Sequence, residues 1–155
     1  FNMISSYLSD GNSSKLYRKL VDEKKMSLQV AAFNMSMEDY GLYVILSLPL
    51  GETELLAIRD EIDKEVEKIQ AELISEKDYQ KLLNKFESDF VDSNGSIEGI
   101  ANSLAEYYAI HGDTNLINSE IDIYRSITRE EIRDVANKYL NPNQRLTLNC
   151  LPEPN

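Results

Sequence analysis

His111 and Cys150 are the single histidine and the single cysteine of the chain, and they bound the chemistry it can do. A thermolysin-like or inverted zinc site needs two imidazoles on one helical face and a carboxylate placed to activate water. One imidazole, with no acidic cluster of suitable spacing around it, does not supply that set. His111 reads instead as the last residue of a helix, a position where histidine interacts favourably with the helix dipole. Cys150 lies in the alternating run Leu146-Thr147-Leu148-Asn149-Cys150-Leu151 and reads as a buried thiol filling a strand face. A nucleophile paired with His111 would need neighbours that lower the thiol pKa, and the sequence around Cys150 offers none. A lone cysteine also excludes an internal disulfide.

Other motifs fall short in the same way. There is no Gly-x-Ser-x-Gly elbow. Asp10-Gly11-Asn12-Ser13-Ser14 lacks the glycines and the Gly-Lys-[Ser/Thr] ending of a phosphate loop, so it reads as a turn with a helix cap. Asp89, Asp92 and Asn94 before Gly95 depart from calcium-loop spacing and lack the bidentate acid. Asn12-Ser13-Ser14, Asn34-Met35-Ser36 and Asn94-Gly95-Ser96 match the glycosylation sequon, which matters only in a secretory host. The acidic stretch from Glu52 to Asp78 carries interspersed Arg59, Lys64 and Lys68 and reads as a solvated helix face.

The net charge is −11, and no Lys/Arg cluster interrupts it. Phosphate backbones repel such a surface, which argues against nucleic acid as a partner. Nine tyrosines without a basic groove do not make a stacking platform. No apolar run is long enough to span a membrane. With 155 residues and 42% hydrophobic content the chain suffices for one domain with a core. Phe1-Asn2-Met3-Ile4 reads as the middle of a helix, so the expectation is a piece of a longer protein, truncated at its N-terminus.

The elements follow from periodicity. Phe1, Ile4 and Leu8 have helical spacing, and a second helix follows through Leu16, Tyr17, Leu20 and Val21, capped by Ser13 or Ser14. Leu28, Val30 and Ala32 then alternate with Gln29, Ala31 and Phe33. Leu42, Val44, Leu46 and Leu48 alternate with Tyr43, Ile45 and Ser47. The short link around Met37 to Gly41 makes these an antiparallel pair, ended by Pro49 and Gly51. A helix with Leu55, Ile58, Ile62, Val66, Ile69 and Leu73 on one stripe comes next, its charges, Glu61 among them, facing water. Ser75 caps a helix with Tyr79, Leu82, Leu83, Phe86 and Phe90 inward. Ile97, Ile100, Ala101, Leu104, Ala105 and Tyr108 mark another inward face. A short helix spans Ile117 to Tyr124. Thr128 and Glu131 form a capping box before a helix that Asn141-Pro142 stops. Arg145 to Leu151 reads as a closing strand. The sum is α+β: a mostly antiparallel sheet of at least three strands with helices packed on one face.

The string Leu8-Ser9-Asp10-Gly11-Asn12-Ser13-Ser14-Lys15-Leu16-Tyr17-Arg18-Lys19-Leu20-Val21 resembles the L-x-x-G-x-S-S-[RK]-L-[YF]-x-x-L signature of C-terminal-type domains in the pitrilysin (M16-like) zinc peptidase family. The order of helices, hairpin, long helices and a final Thr-x-x-Glu helix resembles that domain too. Glu98-Gly99-Ile100-Ala101 and Tyr107 to Asp113 look like bacterial members, with the periplasm or cell envelope as the setting that suggests. The resemblance covers nearly the whole chain and implies a single LuxS/MPP-like half-domain over residues 1–155.

In that family two homologous halves enclose an unfolded peptide. One half holds zinc through His-x-x-Glu-His, and the other often offers an Arg and a Tyr to the substrate backbone. Matching Leu20 to Val30 onto that pattern puts Val21 at the Arg position and Leu28 at the Tyr position. Neither donates a hydrogen bond to a developing oxyanion. The resemblance therefore implies no catalytic, metal-binding or polar substrate-binding residue in this segment. It also implies zinc in a missing N-terminal half or a partner subunit, a homologous M16 half as partner, and peptide as the enclosed substrate. A degenerate scaffold subunit paired with an active protease, and an unrelated acidic interaction domain, are the alternatives.

Overall fold

The computed structural model describes residues 1–37 and 40–151. Helix α1, Asn2–Ser9, buries Met3, Ile4 and Leu8, the stripe its spacing requires. It lies against the first strand. Ser9 Oγ there accepts a hydrogen bond from the Ala32 amide at 2.6 Å and donates one to the Ala32 carbonyl at 3.2 Å. Gly11, at φ 73°, turns the chain out of this contact.

The second helix is present, but over Tyr17–Glu23 it winds as a π-helix. Its wide turn shows in the amide of Lys24, which reaches the Lys19 carbonyl at 3.1 Å. Neither Ser13 nor Ser14 caps it with a side chain. Lys25 then takes a left-handed conformation, φ 50°, the ending more often left to glycine.

Strands β1, Ser27–Ser36, and β2, Gly41–Pro49, pair antiparallel as expected. The amide of Met37 donates to the Tyr40 carbonyl at 2.9 Å. Residues 38 and 39 of the expected link lie outside the described residues. Val30 and Ala32 are buried, and Ile45 opposite Ala32 and Tyr43 opposite Asn34 pack against the core. Gln29, Ala31, Phe33 and Met35 sit across from Leu48, Leu46, Val44 and Leu42 on the other face.

The closing strand is not found. Arg145 to Leu151 is irregular, and the sheet among the described residues has two strands, not three. Leu146 and Leu148 are about four-fifths exposed, at 81% and 78%. Alternation shows that a segment can join a sheet; it does not supply an edge to join. Cys150 is accordingly exposed, not buried in a strand face.

Helix α2, Leu55–Ala71, buries Ile58, Val66 and Ile69. Helix α3, Glu76–Ser93, starts where Ser75 Oγ accepts the Asp78 amide and buries Leu82. Phe86 stacks on Tyr124 at 4.3 Å between centroids, which holds α3 to helix α5, Glu120–Ser126. The Tyr79 hydroxyl donates to the Ile127 carbonyl at 2.7 Å. Helix α6, Arg129–Tyr139, begins with the full Thr128–Glu131 capping box and buries Ile132 and Ala136. Gln70 of α2 donates to the carbonyls of Ala136 and Leu140, both at 3.1 Å, and so ties α2 to the end of α6.

Helix α4, Ile97–His111, departs from expectation. None of its residues is buried, and its apolar face, Ile97 and Tyr108 included, stands in solvent. It packs chiefly on the 3-10 helix Thr114–Asn118. The stripe of apolar residues records a capacity to pack that the described chain leaves unused. Among the described residues no helix is long and apolar enough to cross a membrane.

Candidate functional site

His111 is the exposed last residue of α4, and Gly112, at φ 70°, ends the helix immediately after it. The helix-terminal reading of His111 therefore holds. Among the described residues no three His, Cys, Asp or Glu side chains are arranged to hold a metal ion. Zinc needs about four N, S or O ligands in a tetrahedral set, and the donors present do not fit it.

The turn Asp10–Ser14 is tied down by lysines. Lys85 pairs with Asp10 at 3.0 Å, Lys15 with Asp78 at 3.0 Å, and Lys81 donates to Ser13. Burial works against the Asp78 charge, but hydrogen bonds from Lys15 and Ser75 outweigh it and hold the carboxyl below its usual range. Lys15 also lies over the ring of Tyr7, 5.0 Å from its centroid. Lys15 and Lys85 are thus spent on internal carboxylates and Lys81 on the Ser13 hydroxyl, which makes the turn a fastening between α1 and α3. Asp89 pairs with Lys85 at 2.5 Å, and Asn94 donates to the Phe90 carbonyl at 3.0 Å. Asp89 and Asp92 lie within α3 and Asn94 is its C-terminal cap, so these are residues of a helix end and not of a turn.

Sequence periodicity missed two carboxylates. Glu61 and Glu65, on the supposed solvated face of α2, are both buried. Glu61 accepts from Lys24 at 2.7 Å and Lys64 at 2.6 Å. Hydrogen bonds from Lys24 and then Lys64 lower its pKa to about 2. Glu65 takes Lys68 at 2.6 Å. A carboxylate rarely leaves water unpaired, so the lysines three residues on were the legible signal. What could not be read was Lys24, which arrives from the end of the π-helix.

Val21 and Leu28, which the resemblance puts at the family's Arg and Tyr positions, flank Lys24 in the chain. Val21, on the π-helix, is half-buried against the core. Leu28 is 56% exposed. It does not follow the inward phase of Val30 and Ala32, because the pairing slips between Ser27 and Gln29. Ser27 opposes Pro49, Gln29 opposes Leu48, and Leu28 is the extra residue of a β-bulge. Ser27 takes the buried place, its hydroxyl 2.8 Å from that of Ser47. Leaving a leucine in water instead of burying it forgoes about 1.5–3 kcal/mol.

An α+β half with no assembled reaction centre among its described residues is the class that fold and site define. Comparison with known proteins gives that class a family. The family described as the Peptidase M16 inactive domain matches residues 1–86. The chain belongs to it. The zinc protease PqqE of Helicobacter pylori is 26% identical over 152 residues, 96% of this chain and 33% of that protein. The chain thus spans about a third of the length of that curated relative. A protease of Helicobacter pylori of known crystal structure superposes with a TM-score of 0.85 at 23% identity, over 92% of this chain and 34% of that one. The inactive peptidase domain of a Bordetella parapertussis protein gives 0.80 at 21% identity, over 93% of this chain and 78% of that one. These likenesses carry the fold, and with it the α+β class expected from the sequence.

Proposed function

We propose that this chain is the non-catalytic half of a zinc-dependent metallopeptidase and forms part of the wall of a chamber that encloses an unfolded peptide. The whole of residues 1–155 acts as that half, and zinc belongs to a homologous half, on the same polypeptide or on a partner subunit. The observation that carries this reading is the pairing of family membership with a lone imidazole exposed at a helix end. Such a chain can shape and hold a substrate but cannot ionise a metal-bound water.

An extended peptide joins such a half by adding a strand to an exposed edge. The bonds from Ser9 to Ala32 occupy the outer edge of β1 and favour the edge of β2 for that role. Once bound there, a peptide is ordered by main-chain hydrogen bonds while the partner half supplies the nucleophile. The test is reconstitution. Mixed with a homologous half that carries His-x-x-Glu-His, the chain should restore cleavage of an unfolded peptide that neither part cleaves alone. No gain on mixing contradicts the reading.

A second reading, a scaffold subunit of a wholly degenerate protein, is favoured by Val21 and Leu28 at the positions where the family offers an Arg and a Tyr. Replacing them as Val21→Arg and Leu28→Tyr in the complemented pair separates the two. A rise in kcat marks a working chamber that lacks only the donors; no change marks a scaffold.

A further inference from the structure

We propose that the cavity beside the turn Asp10–Ser14 binds one small anion of chloride size, held between the Ser14 hydroxyl and the ammonium of Lys81. This site would exist whether or not the chain forms a chamber. Ser14 is the decisive residue. It is only 3% exposed, and its Oγ makes no hydrogen bond. A buried hydroxyl without a partner is costly, and few are left in that state. It does not cap the helix that follows. It lines a cavity of about 30 Å³ together with Asp10, Lys15, Asp78, Lys81 and Lys85.

The charges decide what fills that space. Lys85 holds Asp10 and Lys15 holds Asp78, each at 3.0 Å. Both lining carboxylates are thus answered, and Asp89, which is not in the lining, pairs with Lys85 at 2.5 Å. Lys81 is the third ammonium. It donates to the Ser13 hydroxyl and forms no ion pair among the described residues. Three ammoniums against two carboxylates leave the lining one positive charge, in a chain that carries −11 overall. An ammonium has three hydrogens, so Lys15 and Lys81 keep donors to spare, as do the hydroxyls of Ser13 and Ser14.

A species that is negative and only accepts hydrogen bonds suits that set. A water would take the Ser14 hydrogen but leave the Lys81 charge unanswered. The cavity matches the share of one molecule in liquid water, about 30 Å³, so a monatomic anion fits whole, whereas sulfate or phosphate does not. Ser13 and Lys81 are exposed, which gives the ion a way in from solvent. Once bound, it bridges Ser14 of the turn to Lys81 of α3 and adds to the fastening that Lys15 and Lys85 already make.

The experiment follows thermal unfolding of the 155-residue chain as sodium gluconate is replaced by sodium chloride at constant ionic strength. Chloride should stabilise the fold, raising the folding equilibrium constant about tenfold when it stands about tenfold above its Kd. Ser14→Ala and Lys81→Gln should each remove that dependence. Crystals grown in bromide should show an anomalous peak beside Ser14 Oγ that Ser14→Ala lacks. The absence of any chloride dependence in the unaltered chain overturns the proposal, and so does a dependence undiminished in either variant. If Ser14→Ala does not fold, Lys81→Gln decides. A water alone at that position, with no bromide peak, also overturns it.

Discussion

Helices α1 and α4 carry the same kind of apolar stripe and meet opposite fates. In α1, Met3, Ile4 and Leu8 are closed off beneath β1. In α4 no residue is buried, although Ile97, Ile100 and Leu104 repeat at helical spacing. The two faces of the hairpin differ in the same sense. Val30 and Ala32 face the core, while Phe33, Leu46 and Leu48 face water. Periodicity reports which side of an element wants a partner; stability comes only where a partner arrives. The described chain supplies one to α1 and not to α4.

This contrast breaks first at Leu8. Leu8→Ala should cost about 2–5 kcal/mol of unfolding free energy in urea titrations, because the side chain is fully enclosed. A loss below about 1 kcal/mol would mean that α1 is no better packed than α4. Thr128→Ala, which removes the capping box of α6, should cost about 1 kcal/mol by the same measurement. At the other extreme, Ile97→Ala in α4 should change stability by less than about 0.5 kcal/mol. A large loss there would show that α4 has a partner within this chain.

Glu61 sharpens the comparison through pH. Its folded pKa lies near 2 against an ordinary 4.5, so its ion pairs contribute fully above 4.5 and are lost as the pH falls through about 2. Glu61→Gln should flatten the acid side of the stability curve between those values and leave α4 untouched. An unchanged acid limb would mean that the pairs with Lys24 and Lys64 add nothing in solution.

Much of this was legible because local chemistry specified it. Ser75, Thr128 with Glu131, and Asn141-Pro142 mark helix ends through hydrogen bonds made within a few residues. Both strands and their antiparallel pairing followed from alternation and a short link. The misreadings concern partners that are remote in sequence or missing. In β2 both alternating sets are apolar, so spacing did not say which one faces the core. Leu28 reads as inward until the bulge is seen. Glu61 reads as solvated until Lys24 is brought to it. The segment Arg145–Leu151 has the pattern of a strand without an edge to pair with. At the candidate site, His111 at a helix end was readable, whereas the exposure of Leu28 was not.

Metal analysis of the purified chain after incubation with zinc and gel filtration tests most directly whether it has a zinc-activating centre of its own. We expect no stoichiometric zinc and no cleavage of an unfolded peptide. One zinc retained per chain, lost together with peptidase activity in His111→Ala, would contradict it.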